Sequence, residues 1–374
     1  STSPVDVDLF KDHLERQRAQ LAVDKVMRCW WFDTLEETNF ASGTDPNHAL
    51  VLALLYYVSP WLLGWREIQM PIEVISGEAG AGKSSLFELR LKIQTGEGDL
   101  KNMPGDLKSW QAMVVNSAGL MVMDNVHTIM KSLIQAFSDE MCRLTTQATP
   151  TIELKQLYTT ADVARCPVGV TFGMTSIKNV FKNVDFLQRA IVTRLEPRPS
   201  EGASNFAWVP AKLEERGGRE AWLAHHVLAV EQFLKKACEG WDNEYKSHSR
   251  LINFEQTMRI MGSVFGVDAS AVPRVLKVAT NKNISTMDWV IEGLVKFATH
   301  WRQRGKKLTF KETDVTDWAT QTADFADNKT LTNSRRLGNY IKENRTLVRN
   351  LAGIVIDKEL EKSTTYRVLQ ENGD

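Results

Sequence analysis

Residues 70–85 read Met-Pro-Ile-Glu-Val-Ile-Ser-Gly-Glu-Ala-Gly-Ala-Gly-Lys-Ser-Ser. Ile72, Val74 and Ile75 form a short apolar run that ends at Ser76-Gly77, the signature of a buried strand. Gly77, Glu78, Ala79, Gly80, Ala81, Gly82, Lys83 and Ser84 then fit G-x-x-x-x-G-K-[ST], directly after that strand and before a helical pattern. The residue types suit one task. Glycines let backbone N–H groups turn inward into an anion-binding nest, and the helix start adds a favourable partial charge. A lysine at position 83 can reach the β- and γ-phosphates, and a hydroxyl at 84 can ligate Mg²⁺. The expected ligand of residues 77–85, Ser85 included, is therefore ATP with Mg²⁺, and Lys83 is the first candidate catalytic residue.

Working outward, three more apolar runs read as strands: 119–124, 168–174 and 190–195. Helical patterns fall between them at 84–93, 107–116 and 132–144. Buried strands alternating with helices predict an α/β fold with a parallel sheet covered on both faces. Asp124 closes the second strand, where such sheets place ligands, so it is the expected second ligand of Mg²⁺ beside Ser84. Asn125 follows it; a carboxamide can orient a water but cannot take its proton, which leaves the general base open. Glu78 is the acidic side chain of the loop itself. Thr175-Ser176 ends the third strand, where a polar side chain either contacts the γ-phosphate and its water or simply makes a turn. Arg189 is the candidate arginine finger for a neighbouring copy, with Arg194 as the runner-up and a surface ion pair as the plainer role.

The flanks differ in character. Residues 6–28 read as a helix, Asp45-Pro46 as a helix start, and 49–63 as a buried helix too short to span a bilayer. After 196–200 the pattern is helical to about 285. Near the end, 334–348 reads as one helix, and 353–357 and 364–369 as two strands, the outline of a winged helix. The expected division is an N-terminal helical region (1–68), an ATPase core (69–200), a helical lid (201–285) and a winged-helix domain (286–374).

Composition sets outer bounds. The chain has 374 residues, and 46 basic side chains match 46 acidic ones, which excludes a polybasic coat or an acidic tail as the main identity. The sum hides asymmetry, because residues 1–45 carry nine acids against five bases and residues 331–350 carry five bases against one acid. Four scattered cysteines give neither a disulfide framework nor a zinc ribbon and suit a reducing cytoplasm. The expectation is a cytoplasmic protein with no membrane partner.

Several local strings carry a family resemblance. Met123-Asp-Asn-Val126, 138–144 (Ser-Asp-Glu-Met-Cys-Arg-Leu), Leu157-Tyr-Thr159, Arg165-Cys-Pro-Val168, 185–191 (Asp-Phe-Leu-Gln-Arg-Ala-Ile) and 250–254 (Arg-Leu-Ile-Asn-Phe) follow the loop in order. Together they resemble the AAA+ ATPase or helicase domain of phage, plasmid and mobile-element replication proteins, relatives of superfamily 3 and MCM-like helicases. The resemblance covers about residues 50–260. It implies a P-loop AAA+ core, a homo-oligomeric ring, six-membered in the family, with nucleotide between subunits, and ATP-driven movement on DNA. The chain departs from the family at Thr175, where Asn is usual, and at 145–150 and Lys155, where a glycine-rich turn and an Arg are usual.

Candidate DNA contacts follow. Lys155 lies near Thr149-Pro150, a candidate hairpin tip that would line a pore around a single strand; the plainer role is a solvated lysine. Arg335, Arg336, Lys342, Arg345 and Arg349 give the C-terminal helix a basic side suited to duplex DNA, or else a solvated or ring-packing face. A helicase or translocase is the first functional reading. An initiator or helicase loader that binds DNA without unwinding it is the second, and a nucleotide-dependent scaffold the third.

Overall fold

The computed structural model describes residues 4–36, 47–58, 68–126, 131–147, 149–155, 163–177, 181, 183–196, 208–247, 251–268, 270–276, 289–304, 309–326, 328–360 and 363–369. The chain divides into two compact units, Ser1–Thr280 and Asn281–Asp374.

The first unit is built on a five-stranded parallel sheet. Its strands are β1 (Ile72–Gly77), β2 (Lys101–Asn102), β3 (Gly119–Asp124), β6 (Val170–Ser176) and β7 (Ala190–Leu195), in the spatial order β2-β3-β6-β1-β7. Every residue of β1 and β6 is buried, because helices cover both faces of the sheet. On one face lies α4 (Lys83–Thr95), which seats Phe87 against Gly173 of β6. A Cβ at 173 would stand 2.7 Å from the Phe87 ring, so only glycine allows that approach. On the other face, α5 (Leu107–Val115) places Trp110 against Phe172, stacked at 5.6 Å between centroids, and Phe137 of α6 (Lys131–Thr146) meets Trp110 edge-on.

The predicted strands and helices of this core recur within a few residues, with two differences. The edge strand β2 is two exposed residues long, too short to leave a periodic trace. The second difference concerns Thr149-Pro150. Strand β4 (Thr151–Lys155) pairs antiparallel with β5 (Val163–Pro167), and Val168 N–H donates to Pro150 O at 2.8 Å. Thr149-Pro150 is therefore at the base of this pair, not its tip; a proline lacking an N–H fits the end of a ladder. The Leu157-Tyr-Thr159 string falls outside the described residues, as do Asp45-Pro46, the last five residues (59–63) of the expected 49–63 helix, and Arg250.

The helices that precede and follow the core in sequence pack together. They are α1 (Val7–Asp24), α2 (Trp30–Glu36), α3 (Asn47–Val58), α8 (Trp208–Glu214), α9 (Gly218–Gly240) and α10 (Ile252–Val264). Their centre is aromatic. Trp31 stacks on Tyr56 at 4.5 Å, Trp30 stacks on His225 at 4.1 Å, and Trp222 meets Trp30, Trp31 and Tyr56 edge-on. His225 bridges Tyr57 OH (3.2 Å) and Arg28 O (2.9 Å). Burial pushes its pKa from 6.5 down to about 3.

The second unit has its own apolar core. It contains α11 (Trp289–Gln303), β8 (Thr309–Phe310), α12 (Glu312–Gln321), α13 (Ser334–Glu343), α14 (Arg345–Ala352), β9 (Ile354–Leu360) and β10 (Ser363–Val368), with the strands in the order β8-β10-β9. The single helix expected over 334–348 is two. Asn344 breaks it at φ −112°, with both its backbone N–H and its side-chain amide donating to Tyr340 O at 3.0 Å. Asparagine competes for backbone groups in this way, which makes it a helix terminator.

Candidate functional site

The 77–85 loop joins β1 to α4 through three glycines at positive φ: Gly77 (151°), Gly80 (80°) and Gly82 (82°). Gly77 is also held by space, since a Cβ there would lie 2.2 Å from Leu195 O. Glu78, Ala79 and Gly80 are exposed, Ala81 is buried, and Ser85 is half-buried in the first turn of α4. Lys83 is 7% exposed, and its Nζ donates to Gly77 O (2.8 Å) and Glu78 O (2.6 Å). Burial holds its ammonium below the ordinary lysine value, with Asp124 pulling the other way.

Adjacent strands supply the other side chains. Asp124, Thr175 and Ser176 end β3 and β6, which stand on one side of β1 in the sheet order, so their side chains lie at the carboxyl edge beside the loop. Ser84 Oγ donates to Asp124 Oδ1 at 2.9 Å. Thr175 Oγ1 donates to the same oxygen and accepts the Asn125 N–H at 3.0 Å. Asn125 Nδ2 donates to Asp124 Oδ2 at 2.8 Å. Sequence reading nominates these residues one by one; their closure into one web around Asp124 follows only from strand adjacency.

The donor set suits Mg²⁺. Ser84 and Asp124 offer hard oxygens, and Mg²⁺ is usually held by one or two carboxylates together with substrate phosphates and water. Among the described residues no cluster of three or more His, Cys, Asp or Glu side chains could form an all-protein cage.

Arg189 sits elsewhere. Its carbonyl accepts Ile72 N–H at 2.9 Å, so it stands at the amino end of β1, opposite the phosphate loop. A six-residue strand spans about 20 Å, which places its own loop out of reach. Its Nη1 pairs with Oδ1 of Asp185, on the short helix α7 (Val184–Leu187), at 2.5 Å and donates to Asp185 O at 2.7 Å, while the buried Nε has no hydrogen-bond partner among the described residues. Arg194 is exposed near the carboxyl end, in register with Ser76.

Of the DNA candidates, Lys155 is the last residue of β4. Arg335, Arg336, Lys342, Arg345 and Arg349 are all exposed. The break at Asn344 divides them: Arg335, Arg336 and Lys342 belong to α13, and Arg345 and Arg349, four apart, share a side of α14. They do not lie along a single helix, as the expected helix over 334–348 implies.

One pair escaped the sequence reading. Glu73 of β1 and Arg90 of α4 form a buried ion pair, and Arg90 also approaches Leu55 O of α3 at 3.5 Å. A lone acid within the apolar run Ile-Glu-Val-Ile was the available signal.

Residues 34–209 match the model of a family described as actinomycete integrative conjugative element replication protein. The match spans the phosphate loop and Asp124, and at the level of a mobile-element replication protein it agrees with the resemblance carried by the sequence. No curated protein matches. A solved structure titled SCCmec type IV Cch, active helicase, is 12% identical at a TM-score of 0.43, over 90% of this chain and 69% of that one. An apo structure of the NrS-1 C-terminal region is 13% identical at a TM-score of 0.33, over 99% and 77%.

Proposed function

We propose that this chain is an AAA+ ATPase that moves DNA, a helicase or translocase serving the replication of a mobile genetic element. The observation that carries the reading is the convergence of Lys83, Ser84, Asp124 and Thr175 at the carboxyl edge of β1, β3 and β6. Lys83 and the loop N–H groups would hold the phosphates of ATP. Ser84 and Asp124 would hold Mg²⁺, which when bound neutralises phosphate charge. Phosphoryl transfer rests mainly on positioning and charge stabilisation, so an asparagine at 125 is compatible with hydrolysis.

The location of Arg189 supports a ring. It cannot serve its own nucleotide, but the same edge of one copy can face the loop of the next, and the resemblance implies six copies. Release from Asp185 would then accompany assembly. Residues 201–285 would act as the lid and 286–374 as a winged helix, with α13 and α14 offering their arginines to duplex DNA and the β4–β5 pair carrying Lys155 towards a single strand. A cytoplasmic setting fits this role; among the described residues no helix is long and apolar enough to cross a membrane.

The second reading, an initiator or loader, is favoured by the Arg189–Asp185 pair, which keeps the candidate finger occupied. Strand displacement on a forked duplex separates the two. A motor displaces the strand with ATP and not when Lys83→Ala replaces it. A protein that hydrolyses ATP and never displaces a strand is a loader or initiator.

A further inference from the structure

Helices α9 and α10 run antiparallel. Lys236 Nζ donates to Ser263 O at 2.8 Å, and the Tyr245 hydroxyl, just beyond α9, donates to Glu255 Oε1 at 2.7 Å. Between these two bonds lies a cavity of about 440 Å³, bordered by Lys236, Glu239, Asp242, Tyr245, Gln256 and Arg259. That volume falls within the range of about 300–1,000 Å³ usual for small-molecule sites. None of residues 77–85, Asp124 or Thr175 lines it.

The charges around it are left unpaired. Glu255 and Arg259 stand four apart on α10, the spacing of a helical ion pair. Glu255, fully buried, instead accepts from Tyr245 Oη and Ser247 Oγ, each at 2.7 Å. Arg259 forms no ion pair among the described residues. Its guanidinium lies over the Tyr245 ring, 4.8 Å from the centroid, and its buried Nε has no hydrogen-bond partner there. Lys236 gives one of its three ammonium protons to Ser263 O. Glu239 and Asp242 are exposed and, among the described residues, pair with neither cation. Gln256 is 3% exposed and adds a carboxamide to the wall. Buried polar groups without partners are uncommon enough to require a cause, and a guanidinium is the side chain best shaped to hold a phosphate or carboxylate.

We infer that this cavity binds a nucleotide bearing a single phosphate, either free or at the end of a nucleic-acid strand. Arg259 is four residues, about 6 Å of helix, from Ser263, whose carbonyl holds Lys236, so both cations can address one phosphate. Bases stack on guanidinium planes and aromatic rings, the surface that Arg259 and Tyr245 make together. Amino and ring N–H groups of a base are donors, and Glu239, Asp242 and the Gln256 oxygen are acceptors on the same wall. The two carboxylates also repel a polyphosphate tail or a run of backbone phosphates, which sets this site apart from the loop at 77–85. An amino-acid zwitterion would match the charges but leave the stacking surface unused. The inference does not depend on the ATPase reading.

The test is equilibrium dialysis of the full chain against AMP, GMP, CMP and UMP in turn. At least one should bind, and about tenfold or more tightly than its own nucleoside or ribose 5-phosphate. Arg259→Met, which keeps the apolar stem, should weaken that binding by about tenfold or more, and Lys236→Gln by about fivefold. Both variants should bind a fluorescent ATP analogue as the unaltered chain does, and Lys83→Ala should keep its affinity for the monophosphate. A short single strand with a 5′-phosphate that competes with the monophosphate identifies the ligand as a strand end; failure to compete identifies a free nucleotide, and either result supports the site. No binding of any monophosphate or of the phosphorylated strand, equal binding of the nucleoside or of ribose 5-phosphate, or full affinity in either cavity variant overturns the inference. Loss of the monophosphate in Lys83→Ala assigns it to the phosphate loop and overturns the inference as well. If the unaltered chain binds a monophosphate but no ATP analogue, the ATPase reading falls and this site stands. Should Arg259→Met fail to fold, the exposed Lys236→Gln decides.

Discussion

Lys83 shows how chemistry written in contiguous residues becomes a site. Its place after three glycines fixes its direction, and its ammonium bridges the carbonyls of Gly77 and Glu78 in the loop it would serve. Lys83→Ala should reduce ATP turnover by at least about 10²-fold, the usual scale for removing one charged stabilising group; turnover at the original rate in a coupled phosphate-release assay would remove the loop from the mechanism. Gly77→Ala is a stricter test of local shape. The added methyl meets Leu195 O at 2.2 Å under a φ of 151°, so the variant should melt at a lower temperature and lose nucleotide affinity together, whereas unchanged melting would show that the loop has room. The loop and Asp124 were legible in the sequence because each is a local pattern. The bond between Thr175 and Asp124 was not, because fifty-one residues separate partners that only strand order makes neighbours.

Elements add constraints that no motif carries. The Glu73–Arg90 pair ties β1 to α4, the two elements that flank the phosphate loop. Breaking a buried pair from one side leaves an uncompensated charge, so Arg90→Met should cost about 3–5 kcal/mol. The double variant Glu73→Leu with Arg90→Met should recover most of that in chemical denaturation, because a buried pair contributes little over well-packed apolar groups; equal loss in both would contradict a charge-based account. The aromatic centre predicts a pH dependence. His225 has a folded pKa of about 3 against 6.5 when free, so the unfolded chain binds the extra proton between these values. Its contribution to stability is full above pH 6.5 and falls by about 1.4 kcal/mol per unit as pH drops towards 3. Tryptophan fluorescence of the packing between α2 and α9 should report this, and a His225→Phe variant should flatten the slope; an unchanged slope would place the titration elsewhere. The sequence displayed the strands and most helices, since continuous apolar runs and 3.6-residue periods are local. It could not display the break at Asn344, because helical periodicity continues across 334–348 and only the side-chain competition for Tyr340 O ends the first helix.

At the scale of the whole molecule, a charge balance of 46 against 46 says little, since the five basic residues of α13 and α14 all face solvent. Reversing Arg345 and Arg349 to Glu should weaken duplex binding and flatten its salt dependence by about 0.9 in log–log slope for each phosphate no longer neutralised; an unchanged slope would make that surface a packing face. The central claim concerns more than one copy. Arg189 lies at the edge of the sheet opposite Lys83, and in the proposed function it would complete the site of another copy. Arg189→Ala should lower turnover by roughly 10³-fold while retaining nucleotide binding. The most direct measurement is ATP turnover in mixtures of Arg189→Ala and Lys83→Ala chains, each of which should be strongly impaired alone. Recovery that rises to a maximum near equal proportions is the predicted result, because an intact loop from one variant then meets an intact arginine from the other. No recovery at any ratio, with both chains shown to co-assemble, would contradict a site shared between copies.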